Sequence, residues 1–542
     1  MVVITYNKNE LIKLIGKKLN DKQLVELIER FKTNVEEISE NEIKVEHTSD
    51  RIDMFSIEGF AKTLRLFIGL EKPKKPKFRD FGKSLLVKKV KARPYALAFV
   101  VKNVKIDEEF LRSLMNIQEV LHLTIGRKRR KIAIGIHDLD KISFPIVYEE
   151  ANKKEKFTPL GYFEEMSLEE VFEKTEKGKE YADLIKKFER YPVYRDKKGI
   201  FSFPPILNSE RTRVTTKTKN LLVEVTGIDE TTVKQTINIL AFSFLERGFK
   251  VYSLDIKKGK KKIKSLENRW EKFLVRKEEI ENLLGIKLTS KRIVKILEKL
   301  GYLAKVKNNL IEVEIPPYRI DILHEWDIIE DIAIGYGYEN FEPELPNIFT
   351  KGSLSKEEEI LNRIREIMVG LGYQEILTPV LSSKEKQFKR MGIKEKEVVE
   401  IENPVSNEYT CLRISLIPSL LYFYSKNKHR EFPQLIFEIG KVVHLENKKP
   451  IEKNYLAFGI SDSVTKFSEL RASISFLFKL IWKKFEIQEA KDKRFIEGRC
   501  GKIFVNNKEV GIFGEINPEI LENWKIEMPT VIAEIDLSFL FK

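Results

Sequence analysis

The chain has 542 residues, 42% of them hydrophobic and 33% charged, with 98 Lys plus Arg against 83 Asp plus Glu and a net charge of +15. Single cores stop growing near about 250–300 residues, so this length implies several domains of ordinary water-soluble composition. Two cysteines, Cys411 and Cys500, exclude a disulfide framework or a cysteine-rich zinc site, and no apolar run approaches the ~20 residues of a membrane helix. The opening Met1-Val-Val-Ile-Thr-Tyr reads as a strand and not as a secretion signal, which makes the cytosol the expected compartment. A basic excess suits a polyanionic partner, because neutralising phosphates releases counterions.

Four blocks are expected, at 1–80, 81–255, 256–345 and 346–542. In the first, Leu24, Leu27, Ile28 and Phe31 form an amphipathic helical stripe, and Glu71-Lys-Pro-Lys-Lys-Pro-Lys77 reads as a stiff linker. The second carries strand patterns at Tyr95–Val101, Lys131–Ile136 and Leu221–Thr226, and ends near the lysine run Lys257–Lys264, expected to be a solvated loop. In the third, Thr289 or Ser290 caps a helix whose Ile293, Ile296, Leu297 and Leu300 share one face, stopped by Gly301. A strand at Leu310–Ile315 follows, which suggests a winged-helix-like unit. The fourth opens on a helix carrying Ile360, Ile364, Ile367 and Leu371. It continues with antiparallel strand patterns at Gln434–Val443, Tyr455–Ile460, Lys502–Ile512 and Val531–Leu537, with a hairpin turn at Asn506-Asn507.

The densest chemistry lies in Pro316-Pro-Tyr-Arg-Ile-Asp-Ile-Leu-His-Glu-Trp-Asp-Ile-Ile-Glu-Asp-Ile-Ala-Ile-Gly-Tyr-Gly-Tyr338. Asp327, Glu330 and Asp331 are spaced i, i+3, i+4 and share a helix face, with Asp321 just upstream. Crowded carboxylates need a cation or a basic partner; a hard ion such as Mg²⁺ suits oxygen ligands, and so does simple complementation of the helix dipole.

The phrase Arg319-Ile-Asp-Ile with Glu330-Asp331 and Gly335-Tyr-Gly-Tyr338 resembles the B5 domain of the phenylalanyl-tRNA synthetase beta-subunit family. An echo near the N-terminus, Ser49-Asp-Arg-Ile-Asp-Met-Phe55, is similar to that family's amino-terminal segment. Gly126-Arg-Lys-Arg-Arg-Lys-Ile-Ala-Ile-Gly-Ile-His-Asp138, Phe203-Pro-Pro-Ile-Leu-Asn-Ser-Glu210 and Glu224-Val-Thr-Gly-Ile-Asp229 resemble its B3/B4 editing module of the archaeal and eukaryotic type. Asn403–Leu421 and Phe437-Glu-Ile-Gly440 are similar to its catalytic-like module.

The resemblance implies an α+β multidomain fold: a mixed N-terminal unit, an α/β editing domain, a winged-helix-like B5 domain, and a class II synthetase-like antiparallel sheet with helices that is catalytically inactive. It implies Mg²⁺ at Asp321, Asp327, Glu330 and Asp331, and an editing pocket drawn from Ile200, Ser209, Asp229 and Thr231 that hydrolyses tyrosine misattached to tRNA(Phe). Asn208 and Glu224 supply further polar groups there. For each of these residues taken alone, turn formation is the stronger reading, since Asn, Ser, Thr and Asp are common turn residues. His137-Asp138 are strand neighbours that point to opposite faces, which argues against a working dyad. The basic cluster Arg127–Lys131 reads as a solvated loop, or as a contact for the tRNA acceptor end.

The fourth block lacks a glycine-rich segment ending in arginine, and Arg413 sits in an apolar run that suits a structural role. Phenylalanine and ATP are accordingly expected on a separate alpha subunit of an alpha-two, beta-two ligase. The competing expectation is a non-enzymatic nucleic-acid-binding scaffold built from the same folds.

Overall fold

The computed structural model describes every residue except Met1, Glu267 and Lys542. The chain divides into two compact units, Met1–Glu344 and Leu345–Lys542. The first three expected blocks therefore fold together, around a main core that runs from Ile4 to Ile334 with smaller clusters beside it.

The N-terminal part of the first unit is β1 (Val2–Asn7), α1 (Lys8–Ile15), α2 (Asp21–Ile28), β2 (Asn34–Ile38), β3 (Glu42–His47) and α3 (Ile57–Phe67), with strand order β1-β3-β2. The Glu271–Tyr336 region repeats it element for element. Glu271–Arg276, Lys277–Leu284, Ser290–Lys299, Leu303–Lys307, Leu310–Ile315 and Glu325–Tyr336 follow the same succession, with the same central strand. Arg51-Ile52-Asp53 and Arg319-Ile320-Asp321 fall at equivalent points before the last helix of each copy. In both, the arginine Nε donates to the aspartate Oδ1 at 2.9 Å. The echo in the sequence is thus a structural duplication.

Between the copies lies a ten-stranded sheet that includes β4 (Arg79–Val87), β5 (Tyr95–Lys102), β6 (Ile132–Asp138) and β7 (Ile146–Asn152), with α4 (Glu108–Leu123) between β5 and β6. From one edge the order is Leu207–Asn208, Gly199–Phe203, Arg190–Asp196, β7, β4, Lys250–Lys258, β5, Asn220–Gly227, β6. The Lys257–Lys264 run is not a loop: it is a hairpin, Lys250–Lys258 against Lys261–Lys264, turning at Gly259 with φ 58°. Asp255 accepts from Lys262 and Lys264 across the pair, which lets the lysines lie along an edge strand.

The Glu230–Glu246 helix is apolar on more than one side. Val233, Ile237, Leu240 and Phe244 join the main core, while Ile239 and Phe242 pack with Tyr318, Ile52 and Ile320. Both Arg-Ile-Asp segments thus meet on one helix of the central domain.

The second unit has a seven-stranded sheet ordered Gln374–Glu375, Gln434–Glu446, Lys449–Ser461, Thr530–Asp536, Lys508–Ile516, Phe495–Val505, Glu486–Glu489, antiparallel except for the first pair. Lys356–Gly370 and Phe467–Leu480 bury Ile364, Met368, Ile474 and Leu477 in one core, and Ile417–Lys426 and Pro518–Asn523 bury Leu420, Tyr424 and Ile520 in another. Asn506 and Asn507 have φ 50° and 60° and turn the predicted hairpin. Among the described residues no helix is long and apolar enough to cross a membrane.

Two histidines in the first unit are buried as neutral rings. His47 lies 2.8 Å from the Tyr6 hydroxyl, and His122 Nε2 accepts the Ile134 N–H at 2.8 Å. Burial pushes each down to about 4. Because these folded values lie below the unfolded one, the unfolded chain binds more protons between about pH 6.5 and 4, and stability falls as pH falls through that window. We predict a loss on the order of 3 kcal/mol per histidine, measured by urea unfolding across it. His122→Asn should flatten the dependence, and an unchanged slope would contradict the assignment.

Candidate active site

A cavity of about 410 Å³ opens in the central domain, lined from α4, β6, the 202–208 segment, the 212–214 segment and Glu224. Most of its wall is apolar, with Leu114, Ile134, Phe203 and Ile206 among the lining side chains. Its polar lining includes Ser202, Asn208, Thr212 and Glu224, with Gln118, Glu119, Arg129, Lys177 and Arg213 also on the wall.

Glu224 is 1% exposed and lies opposite Gly135 in the pairing of Asn220–Gly227 with β6. Glycine is required there, since a Cβ at position 135 would sit 2.3 Å from Glu224 Oε1 and 2.9 Å from His137 Nε2. Ser202 Oγ donates to Glu224 Oε1 at 2.8 Å, but Glu224 Oε2 has no hydrogen-bond partner. His137 stands behind it, Nε2 3.8 Å from Oε1 and Nδ1 2.9 Å from Thr212 Oγ1. Asp138 faces the other way and accepts from Thr218 Oγ1, so the adjacent pair is no dyad.

No cation in contact neutralises this carboxylate. Arg93, wholly buried, donates to the Thr226 and Arg129 carbonyls at 2.9 and 3.1 Å, and burial pushes its guanidinium down to about 10. Burial and the nearby Glu224 charge push the Tyr194 phenol well up, which keeps it neutral. An orphaned acceptor in a dry wall costs free energy unless a ligand completes it.

The basic cluster after α4 splits in two. Arg127, Lys128 and Arg129 occupy the left-handed region at φ 47°, 53° and 61°. Arg129 turns inward, donating to the Pro205 and Ile206 carbonyls at 3.0 Å and to Glu119 at 2.8 Å, and so fixes the cavity wall. Arg127, Lys128 and Arg130 stay exposed.

The four residues expected to form the pocket do not gather in this cavity. Ile200 is buried in a neighbouring core with Phe157, Phe172 and Tyr191. Ser209 donates to the Thr158 carbonyl and accepts from Arg211 N, a local turn. Asp229 caps the Glu230–Glu246 helix through Thr232, and Thr231 is exposed on its first turn. Asn208 and Glu224, named from the same motifs, do line the cavity; Ser202 and Thr212 carried no sequence signal, being single hydroxyls in apolar or charged surroundings.

The carboxylates of the Glu325–Tyr336 helix are each answered by protein groups. Arg319 Nη2 donates to Asp321 and Asp331, both at 2.7 Å, and the Tyr302 hydroxyl donates to Asp331 at 2.5 Å. Asp327 accepts from the Leu323 and His324 N–H groups at 2.8 Å as a capping box, and Glu330 pairs with Lys32 at 2.7 Å. Burial alone would raise the Asp321 carboxyl, but the Arg319 guanidinium outweighs it and holds it below the usual range. Among the described residues no three such groups gather as a metal-ligand set. Of the four carboxylates expected to hold magnesium, Asp321 and Asp331 thus meet at Arg319 in an ion cluster, while Asp327 caps its own helix and Glu330 pairs with Lys32.

Compared with known proteins, residues 80–254 match the B3/4 domain, residues 273–338 the tRNA synthetase B5 domain, and residues 342–537 the phenylalanyl tRNA synthetase beta chain CLM domain. The chain is 39% identical to the phenylalanine–tRNA ligase beta subunit of Archaeoglobus fulgidus, across 100% of this chain and 99% of that one. It is 38% identical to the same subunit of Pyrococcus horikoshii, over 99% of each. A crystal structure of an N-terminal fragment of the P. horikoshii beta subunit superposes with TM-score 0.61 and 36% identity, covering 62% of this chain and 99% of that fragment. The chain belongs to the phenylalanine–tRNA ligase beta-subunit family.

Within that family's domains, the cavity falls in the B3/4 match and the ion cluster in the B5 match. The CLM match contains one deeply buried ion pair. Arg413 donates to Glu438 at 2.8 Å, to Thr378 Oγ1 at 2.7 Å and to the Lys441 carbonyl at 2.9 Å.

Removing one partner of a buried ion cluster leaves charges uncompensated and costs about 3–5 kcal/mol. Arg319→Met should destabilise the first unit by that order in urea unfolding. Adding Asp321→Asn and Asp331→Asn should recover much of the loss. A single variant as stable as the parent would contradict an arginine-centred cluster.

Proposed function

We propose that this chain is the editing and scaffolding subunit of a phenylalanine–tRNA ligase, and that it hydrolyses tRNA carrying tyrosine in place of phenylalanine. The observation that carries this reading is the unpartnered Glu224 Oε2 in the wall of a largely apolar cavity. A tyrosine ring fills such a space and its hydroxyl donates to the free oxygen. Phenylalanine leaves that acceptor orphaned, at a cost of about 1–3 kcal/mol or more for a charged group. A site built to hydrogen-bond a hydroxyl rejects the analogue that lacks it far more strongly than an apolar pocket rejects an added one.

Ser202 orients the carboxylate, His137 packs beside it, and Gly135 makes room for it. Asn208 is held at the wall by its amide donating to the Ile136 carbonyl at 3.3 Å and by its Oδ1 accepting from Ser202 Oγ at 3.4 Å. Water attack on the ester is assigned to polar groups of the cavity and of the tRNA itself. The net charge of +15 favours the tRNA partner.

Amino-acid activation, with ATP and its magnesium, is placed on an alpha subunit in an alpha-two, beta-two assembly. The buried arginine of the second unit donates to Glu438, Thr378 and a carbonyl through Nε and Nη1, which favours a structural role for it over phosphate binding. We predict that Glu224→Ala in the alpha/beta complex leaves phenylalanine charging within about twofold while tyrosyl-tRNA(Phe) clearance drops roughly 100-fold, in line with about 3 kcal/mol of lost recognition. Clearance at the parent rate would refute Glu224 as the recognition group.

A further inference from the structure

The cavity wall holds a second orphan, of the opposite sign. Arg129 lines the cavity at 7% exposure, and among the described residues its Nε–H has no hydrogen-bond partner. A buried donor on a charged group costs free energy unless a ligand completes it. The rest of this guanidinium is held in place. Nη1 donates to the Pro205 and Ile206 carbonyls, Nη2 donates to Glu119, and the Tyr181 ring centroid lies 4.6 Å from the guanidinium carbon. The backbone is tied as well: the Arg129 N–H donates to the His122 carbonyl at 3.2 Å, and its own carbonyl accepts from Arg93 at 3.1 Å. These contacts keep Arg127, Lys128 and Arg129 in the left-handed region, which residues other than glycine seldom occupy.

We propose that Arg129 is the catalytic donor of ester hydrolysis, its Nε–H bonding to the carbonyl oxygen of the aminoacyl ester. This inference rests on the editing reading above. A tyrosyl ester presents a hydroxyl donor at its ring end and a carbonyl acceptor at its other end. Among the described side chains that line the cavity, Glu224 Oε2 and Arg129 Nε are the two buried atoms left without partners, one acceptor and one donor. The other cations on the wall, Lys177 and Arg213, are open to solvent and paired with Glu180 and Glu210. In the reaction a water oxygen bonds to the ester carbon, and the carbonyl π pair moves onto the oxygen that faces Nε. When that pair returns, the bond to the ribose oxygen breaks. One water proton ends on the ribose oxygen, and the other is released as the tyrosine carboxyl ionises. Arg129 stays protonated throughout. A donor fixed in advance in a dry wall stabilises the oxyanion without reorganising, and losing one such donor costs about 100–1,000-fold in rate.

The test is Arg129→Lys in the alpha/beta complex. Lysine keeps the charge and reaches the wall carbonyls, but it has no N–H at the Nε position. Single-turnover deacylation of tyrosyl-tRNA(Phe) should slow roughly 100-fold, with half-saturation changed less than about threefold. Calorimetry with two probes separates this role from a merely structural one. The probes are adenosine carrying tyrosine through a 3′-amide, and its counterpart with a tetrahedral phosphonate in place of the carbonyl. The parent should bind the phosphonate at least roughly tenfold more tightly than the amide. Arg129→Lys should weaken the phosphonate roughly 30-fold or more and the amide less than about threefold. No phosphonate preference in the parent, equal weakening of both probes, or deacylation at the parent rate overturns Arg129 as the donor and leaves the editing reading intact. No hydrolysis by the parent complex overturns both.

Discussion

The first unit depends on one helix, Glu230–Glu246, being buried on more than one face. One side closes the ten-stranded sheet, with Val233, Ile237, Leu240 and Phe244 in the main core. Another receives Ile52 and Ile320, the middle residues of the two Arg-Ile-Asp segments, beside Ile239 and Phe242. Its last turn is tied to the N-terminal copy by Lys62 and Arg65 on Glu246, and by Arg247 on Glu10 and Glu58. A large apolar side chain buried in such a place contributes about 1.5–3 kcal/mol, so this helix joins three parts of the chain more firmly than the linker at 71–77 could. The strand leading into it carries Glu224, and the scaffold therefore fixes the site's most consequential carboxylate.

Charge is handled in the same way in both copies of the repeat. A buried arginine grips the aspartate two residues on; in the second copy it also grips Asp331 from the following helix, where the first copy offers Thr63. The acidic helix that dominates the sequence is thus stabilised from within the protein and by Lys32 of the other copy. The cavity is built on the opposite principle. There a carboxylate is left half-satisfied by a serine, with a buried arginine nearby that binds carbonyls and not the acid.

Much of this was legible in the sequence. Periodicity gave the helices and strands, the Asn-Asn turn and the Thr289 cap, and two separated Arg-Ile-Asp phrases hinted at the duplication. Three things were hidden because they depend on long-range pairing. The lysine run becomes a hairpin only because Asp255 and Asp80 lie across from it. The acidic spacing suggests a cation, but which cation depends on where Arg319 reaches. The cavity is assembled from residues of α4, β6 and the 202–224 region, and only the cross-strand register of Gly135 with Glu224 brings its polar groups together. The motif phrases contain much of the lining, from Arg129 to Ile136, Phe203 to Asn208 and Glu224, whereas Ile200, Ser209, Asp229 and Thr231 fall beside it.

The most direct measurement is single-turnover deacylation of tyrosyl-tRNA(Phe) and phenylalanyl-tRNA(Phe), side by side, by this chain in complex with its alpha partner. The account predicts rapid release of tyrosine and release of phenylalanine at least roughly 100-fold slower, the ratio expected when one ring satisfies a buried acceptor and the other leaves it bare. Equal rates, or no hydrolysis of either ester, would contradict it.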